Sequence, residues 1–523
     1  MSVLLRRAIR SALVAGACLL VWQGVSVAHA GSIGVNKFDL ARQYIGTASG
    51  GDGSDRYRVV TRAMARKALA DARDAGVVFV RASATGFGPI APGRAGDLDR
   101  WVSDPPAYWR QIDEMFDDLD ANGLRLVPTF IWNRTQFPSM TDETVRDLVA
   151  DPDSRAYKLA LRYVTEFVAR YRNRETVLFY ELTNELNLAV DLDNVARCAT
   201  ERTDGQSRAE FCRPVGNFTT EQMIGFTKRL AAAIGALDPG RSVSSGFSAP
   251  RPNAERLRAH PEWAGTRPPG GPDSVDDFVK NLSDIHEGLA IVSVHLYPGM
   301  FNARFGSRNT HGTELLDIAA RAAARLGKSL FVGEFGEQHR LDGRADSFSV
   351  RILDRIVELG VPYSAVWVWE FYQRAPYRAR PDKDSAFSLE PGLTDELIRR
   401  LGAASRKFGR PETRRAPVDD RPPRVVLTWP LACVQARARQ SAFAVASDDS
   451  GQIRSVRFLI GSRLVAELTR PPYEATIVTQ QLPPGEHVLR AHATDAAGNS
   501  ASSETVLVVG AGATSRCPHP YVD

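Results

Sequence analysis

Between Gly31 and about residue 409, short runs rich in β-branched and aromatic residues alternate with amphipathic stretches of helical period, eight times over. The expected strands are Ile33–Phe38, Val77–Ala82, Leu124–Ile131, Thr176–Asn184, Ser242–Phe247, Ala290–Tyr297, Ser329–Gly336 and Tyr363–Phe371. Helical patterns lie between them, among them Tyr157–Tyr171, Glu221–Leu237, Glu314–Leu326 and Ser349–Leu359. Gly76, Gly123, Gly327 and Gly360 each stand just before a strand, where a left-handed residue ends a helix. Strands separated by helices pair in parallel, because only a crossover brings the chain back in the same direction. Two α/β architectures obey that rule: a closed (β/α)8 TIM barrel and a doubly wound open sheet. No G-x-G-x-x-G follows the first strand, where a dinucleotide-binding open sheet needs it. The barrel is therefore the expectation for residues 31–404.

The pattern then changes. Ser405–Pro423 carries prolines and charges with almost no apolar residue, and it reads as a linker. Over residues 424–523 short strands and turns replace the helices: Val425–Trp429, Ser441–Ala446, Ile453–Ile460, Leu464–Leu468, Glu474–Val478, His487–Ala493 and Thr505–Val509. Such spacing predicts a small all-β sandwich. The stretch S-G-Q-I-R-S-V-R-F-L-I-G, the P-P-Y ending at Tyr473 and G-E-H-V-L-R-A-H-A-T-D-A-A-G-N resemble the bacterial immunoglobulin-like modules attached to many secreted enzymes. Asp448, Asp449 and Asp495 fit turns, with calcium binding as the alternative.

Residues 1–30 have the form of an export signal. Arg6, Arg7 and Arg10 precede an apolar run from Ala12 to Trp22, and Ala28-His29-Ala30 is a small-x-small cleavage site. The run is too short to span a bilayer, and no later segment reads as a membrane span. A lipid anchor at Cys18 is the alternative, against which the apolar run continues through Leu19 and Leu20. Removing the signal leaves four cysteines, an even number in an exported chain. The expected disulfides are Cys198–Cys212 and Cys433–Cys517. A metal site is not expected at either pair, since neither has C-x-x-C spacing or a histidine cluster. Net charge is +5 with acids and bases mixed along the chain, which argues against a nucleic-acid partner.

Barrel chemistry sits at the C-terminal ends of the strands. The fourth strand ends F-Y-E-L-T-N-E-L-N, presenting Asn184 and Glu185; the seventh ends L-F-V-G-E-F-G, presenting Glu334. A carboxylate closing an apolar strand is costly to bury unless partnered or functional. Either one alone reads as a salt-bridge partner or a solvated loop residue. Two across one mouth read as paired acid and base, the equipment of glycoside hydrolysis.

This arrangement resembles the clan of retaining (β/α)8 glycoside hydrolases that includes the family five cellulases and β-mannanases. The resemblance covers roughly residues 31–400. It implies Glu185 as general acid/base, Glu334 as nucleophile and Asn184 as partner of the sugar 2-hydroxyl. Arg81, ending V-F-V-R, matches the family's arginine beside the nucleophile, where its charge would keep Glu334 ionised. His295 and Tyr297, in V-S-V-H-L-Y, match its H-x-Y: Tyr297 donating to the nucleophile, His295 lining the sugar site. Trp369, in V-W-V-W-E-F, looks like its tryptophan floor, although Trp367 shares the same parity and one of the two is ordinary packing. Trp132, after the third strand, is a further platform candidate. Glu181, deeper in the fourth strand, is expected to anchor Arg81 or another core donor, and Glu337 to sit out on a loop. The implied enzyme needs no cofactor, acts as a monomer and takes an oligo- or polysaccharide, with β-linked mannan or glucan the first guess.

The chain departs from the family's pattern in two places. Leu186 stands where proline often follows N-E, and the third strand ends F-I-W-N without the histidine many cellulases carry. Both leave the catalytic pair intact and weaken assignment to one substrate. Two other functions fit part of the pattern. A non-catalytic carbohydrate-binding barrel would lack one of the carboxylates. A metal-dependent hydrolase would cluster His and Asp at the strand ends, where this chain offers chiefly His295.

Overall fold

The structure, a computed structural model, describes residues 31–46, 61–89, 91–200, 208–265, 271–299, 304–305, 312–338, 347–371, 387–391, 394–408, 422–430, 433–447, 453–470, 473–496, 498–510, 516–517 and 521–522. The export signal, residues 409–421 of the linker and the Asp448–Asp449 turn lie outside these.

Eight parallel strands close into a barrel in sequence order: β1 (Ser32–Asn36), β2 (Phe79–Ser83), β3 (Arg125–Ile131), β4 (Tyr180–Thr183), β5 (Val243–Ser244), β6 (Ile291–Leu296), β7 (Ser329–Phe335) and β8 (Tyr363–Val366). β1 pairs with both β2 and β8, so the sheet has no edge. All four helix-ending glycines named above take the left-handed conformation, with φ between 62° and 79°. Alternation along the strands separates two cores. Outward residues such as Val80, Leu182, Val292 and Val332 pack against the helices. Inward residues Phe79, Val127, Phe179, Ile291, Phe331 and Ala365 plug the lower lumen. One step up each strand the lumen turns polar, with Asn36, Arg81, Thr129, Glu181, Ser293 and His295 all fully buried. The apolar plug closes the barrel from below, so chemistry has only the upper mouth.

Two boundaries differ from expectation. The helix Asp395–Phe408 carries the barrel four residues past the expected start of the linker: Ser405–Phe408 are helical, and Ser405 packs inward. β8 ends at Val366 rather than Phe371, because beyond it the backbone leaves the regular pleat and Glu370 is left-handed.

The C-terminal domain forms two packed sheets. One has the order β13 (Arg463–Leu468), β12 (Ile453–Ile460), β15 (Gly485–Asp495), β16 (Ser500–Val509), β10 (Val434–Gln435), β17 (Tyr521–Val522). The other has the order β14 (Tyr473–Val478), β11 (Arg439–Ser447), β9 (Arg424–Trp429). The seven expected strands are present; the two-residue β10 and β17 are additional. Asp495 forms a turn, its Oδ1 accepting the N–H groups of Gly498 and Asn499. Disulfides join Cys198 to Cys212 and Cys433 to Cys517, with Cα atoms 5.8 and 5.3 Å apart.

Candidate active site

Arg81 organises the mouth. It is fully buried in β2, and its planar fork donates in four directions: Nε to Glu181 Oε1 (2.6 Å), Nη1 to Asn36 Oδ1 (2.8 Å) and Glu334 Oε1 (2.8 Å), and Nη2 to Asn184 Oδ1 (2.9 Å). A buried cation persists where its donors are matched by acceptors and its charge by carboxylates. Glu181 takes the part expected of it, fixing Arg81 from below while Thr129 donates to the same oxygen at 2.7 Å. Asn36, which the sequence reading passed over, is tied in turn to the carbonyls of Gly333 and Ala365.

Glu334 receives Arg81 on one oxygen and the Tyr297 hydroxyl on the other, at 2.6 Å. His295 Nδ1 lies 2.9 Å from Glu185 Oε1 and 3.5 Å from Glu334 Oε1, so the imidazole stands between the two carboxylates. One oxygen of Glu185, one of Glu334 and a His295 ring nitrogen all lie within 4.8 Å of one another. Glu334 is 4% exposed, whereas Glu185 is more open to the mouth.

Burial pushes the Glu334 carboxyl above the usual range, and the Glu185 charge adds to the rise; His295, Arg81 and the Tyr297 hydroxyl pull against it. Arg81 thus acts in the expected direction without outweighing burial. Burial pushes the His295 imidazole down to about 3, so the ring is neutral at ordinary pH. Tyr297 is raised well above its ordinary range by burial and by Glu334, and it remains a phenol that can donate.

β7 turns Glu334 inward by a register shift. Val294 pairs with Val332 but His295 pairs with Glu334, which leaves Gly333 as an extra residue. A β-carbon at Gly333 would lie 2.8 Å from His295 Nε2, so glycine is what leaves room for the imidazole.

The aromatic floor corrects the expectation at Trp369. That indole is 1% exposed and points out of the lumen, its Nε1 donating to Ala68 O in the helix Arg62–Asp74 at 2.9 Å. Trp367 is the residue on the mouth side. Because the pleat stops at Val366, the two tryptophans do not share a face. Trp367 and Trp132 are both part-exposed, with ring centres 6.1 Å apart and planes 12° apart. Buried Phe38 stacks on both, 5.1 Å from Trp367 and 5.5 Å from Trp132. The Arg81 guanidinium lies 4.9 Å from the Trp132 ring centre.

Residues 423–491 match a family model described as a bacterial Ig domain. The C-terminal domain is a bacterial immunoglobulin-like module. No curated protein matches the chain. Among solved structures the chain is similar to the endo-β-1,4-mannanase from Thermotoga petrophila, at 17% identity over 92% of this chain and 98% of that one, with a TM-score of 0.47. It is also similar to the endo-1,4-β-mannanase from Rhizomucor miehei (13% identity, 72% of this chain and 94% of that one, TM-score 0.47). A third is the exo-β-1,4-mannosidase from Opitutaceae bacterium strain TAV5 (15% identity, 72% and 60%, TM-score 0.45).

The barrel mouth therefore brings together Arg81, Asn184, Glu185, His295, Tyr297 and Glu334, with Trp132 bordering them and Trp369 outside. Glu337 lies on the loop after β7 as expected, but it is buried there and accepts from Ser349 N. Asn36 was missed because asparagine at a strand end also reads as a turn former. Its signal was position, a polar residue towards the C-terminal end of an apolar strand, as at Arg81 and Glu334.

Proposed function

We propose that the barrel is a retaining glycoside hydrolase, exported from the cell, that cleaves β-linked polysaccharide by double displacement. The observation that carries this reading is the spacing of the carboxylates. Glu185 and Glu334 present oxygens within 4.8 Å of each other in one mouth. Retaining enzymes hold their carboxyl groups about 5–5.5 Å apart, whereas inverting ones leave about 6.5–9.5 Å for a water.

Glu334 attacks the anomeric carbon while Glu185 protonates the departing oxygen, leaving a glycosyl ester on Glu334. Glu185, now ionised, takes a proton from water, whose oxygen attacks the anomeric carbon and releases Glu334. Arg81 and Tyr297 hold the attacking carboxylate in one orientation and supply donors to it at both oxygens. Asn184, oriented by Arg81, is left with its amide N–H groups for the sugar 2-hydroxyl. Trp367 and Trp132, backed by Phe38, offer flat apolar faces to the sugar rings. Trp367 takes the floor position that the sequence reading gave to Trp369. β-1,4-linked mannan and glucan are the first substrates to test.

The test is Glu334→Ala with added azide on an aryl glycoside of the accepted sugar. Hydrolysis should fall about 10⁴-fold or more. Azide should restore turnover and give a glycosyl azide of inverted configuration. Unimpaired hydrolysis, or rescue with retained configuration, overturns the assignment.

A further inference from the structure

Glu185 stands outside β4, and the segment after β5 holds it there. Its own backbone is left-handed, with φ 53°, a conformation a β-carbon residue keeps only when its surroundings impose it. On one side its N–H donates to Gly246 O at 2.8 Å. Two residues on, the Asn187 carboxamide grips both polar groups of one backbone residue: Nδ2 donates to Ser248 O (2.8 Å) and Oδ1 accepts from Ser248 N (3.0 Å). Asn187 is 5% exposed and Ser248 fully buried, so neither has water as a substitute. Gly246 runs so close beneath β4 that a β-carbon there would lie 1.8 Å from Thr183 O. Farther along, Arg251 reaches back to the carbonyls of Leu188 and Val190. The Glu185 backbone is thus suspended between two attachments to the segment that follows β5, while its carboxyl meets His295 of β6.

We propose that Asn187 is a positioning residue for the acid/base: it touches no reacting atom, and through Ser248 it sets where the Glu185 carboxyl meets the departing oxygen. The inference rests on the glycosidase reading above. Proton transfer needs the two heavy atoms within about 2.6–3.2 Å, and a displacement of about 1 Å can cost about 10²-fold. Glu334 gains nothing from this clamp, since β7, Arg81 and Tyr297 place it. Loosening the clamp therefore misplaces the acid and leaves the nucleophile where it was.

Asn187→Ala removes both bonds, and Asn187→Asp keeps the acceptor and loses the donor. Each variant is assayed on mannotetraose or cellotetraose, whichever the wild-type protein turns over, and on the 2,4-dinitrophenyl glycoside of the same sugar. The dinitrophenolate leaves without a proton. For N187A, kcat/KM should fall about 10²-fold on the tetrasaccharide and less than about threefold on the aryl glycoside. The alkaline limb of the pH profile should move for the tetrasaccharide alone, and N187D should show the same selectivity at smaller size. Equal losses on the two substrates, or none on either, overturn the inference; if N187A does not fold, the ratio for N187D decides. A wild-type protein inactive on both overturns the glycosidase reading and this inference with it. An active wild type with unselective variants overturns this inference alone.

Discussion

At the scale of single residues the site is held by charges that burial resists. Glu334 illustrates the conflict: its carboxyl is raised by burial although Arg81 and Tyr297 both favour the ionised form. A group raised in the folded state lends stability that is complete below its unfolded pKa and is lost as pH rises through the folded value. Ionised Glu334 therefore destabilises the fold at neutral pH. Glu334→Gln should unfold at a higher temperature than the wild type near pH 8, and the advantage should shrink towards pH 4, about the unfolded value, where both side chains are neutral. Calorimetry across that range checks it, and a pH-independent offset would argue against the assigned shift. Much of this site was legible residue by residue. Arg81, Asn184, Glu185, His295, Tyr297 and Glu334 are polar groups closing apolar strands, where burial demands a reason. Asn187 was not, because what it grips lies 61 positions away, beyond another strand.

Elements were legible as units and less so at their ends. Period and helix-ending glycines found all eight barrel strands, since those signals come from averaged burial. Parity failed where the backbone departs from a plain pleat. Strict alternation from inward Phe331 would turn Glu334 outward; the extra Gly333 turns it in. Alternation likewise put Trp367 and Trp369 on one face, and the end of β8 at Val366 separates them. The two tryptophans should therefore respond oppositely to truncation. Trp369→Ala empties a buried site and removes the indole's bond to Ala68 O, so it should cost about 3–5 kcal/mol in chemical unfolding and change KM little. Trp367→Ala removes a part-exposed face, so stability should change less. Its kcat/KM should fall about 10–10²-fold, as expected for losing about 1.5–3 kcal/mol of apolar contact with sugar. If W369A had the greater effect on kcat/KM with stability intact, the outward placement would be wrong.

At the scale of the whole molecule, the immunoglobulin-like module packs on the barrel. Phe443 of β11 joins the hydrophobic core formed by the barrel strands and helices, and β11 lies along the helix Arg155–Tyr171. No local pattern announces such a contact, because each surface reads by itself as an ordinary domain exterior. Glu474, on β14 beside β11, is caught in it: burial pushes its carboxyl up to about 7. From the barrel side it faces Glu166 and Asp104, which raise it further, and Arg162 and Arg170, which pull it down. Neither arginine is at liberty to neutralise it. Arg162 is bonded to Glu166, and Arg170 to Asp113. With the pKa raised, the stability contributed is present at low pH and disappears as pH climbs through about 7. Docking of the module should therefore weaken over that window. Small-angle scattering of the full chain should show a larger radius of gyration near pH 8.5 than near pH 6, and calorimetry should separate one unfolding transition into two. Glu474→Gln, neutral throughout and similar in volume, should keep the compact form at both values. If the variant expands with pH as the wild type does, another group controls the contact; if neither changes, Phe443 and the apolar packing around it are sufficient to hold the module in place.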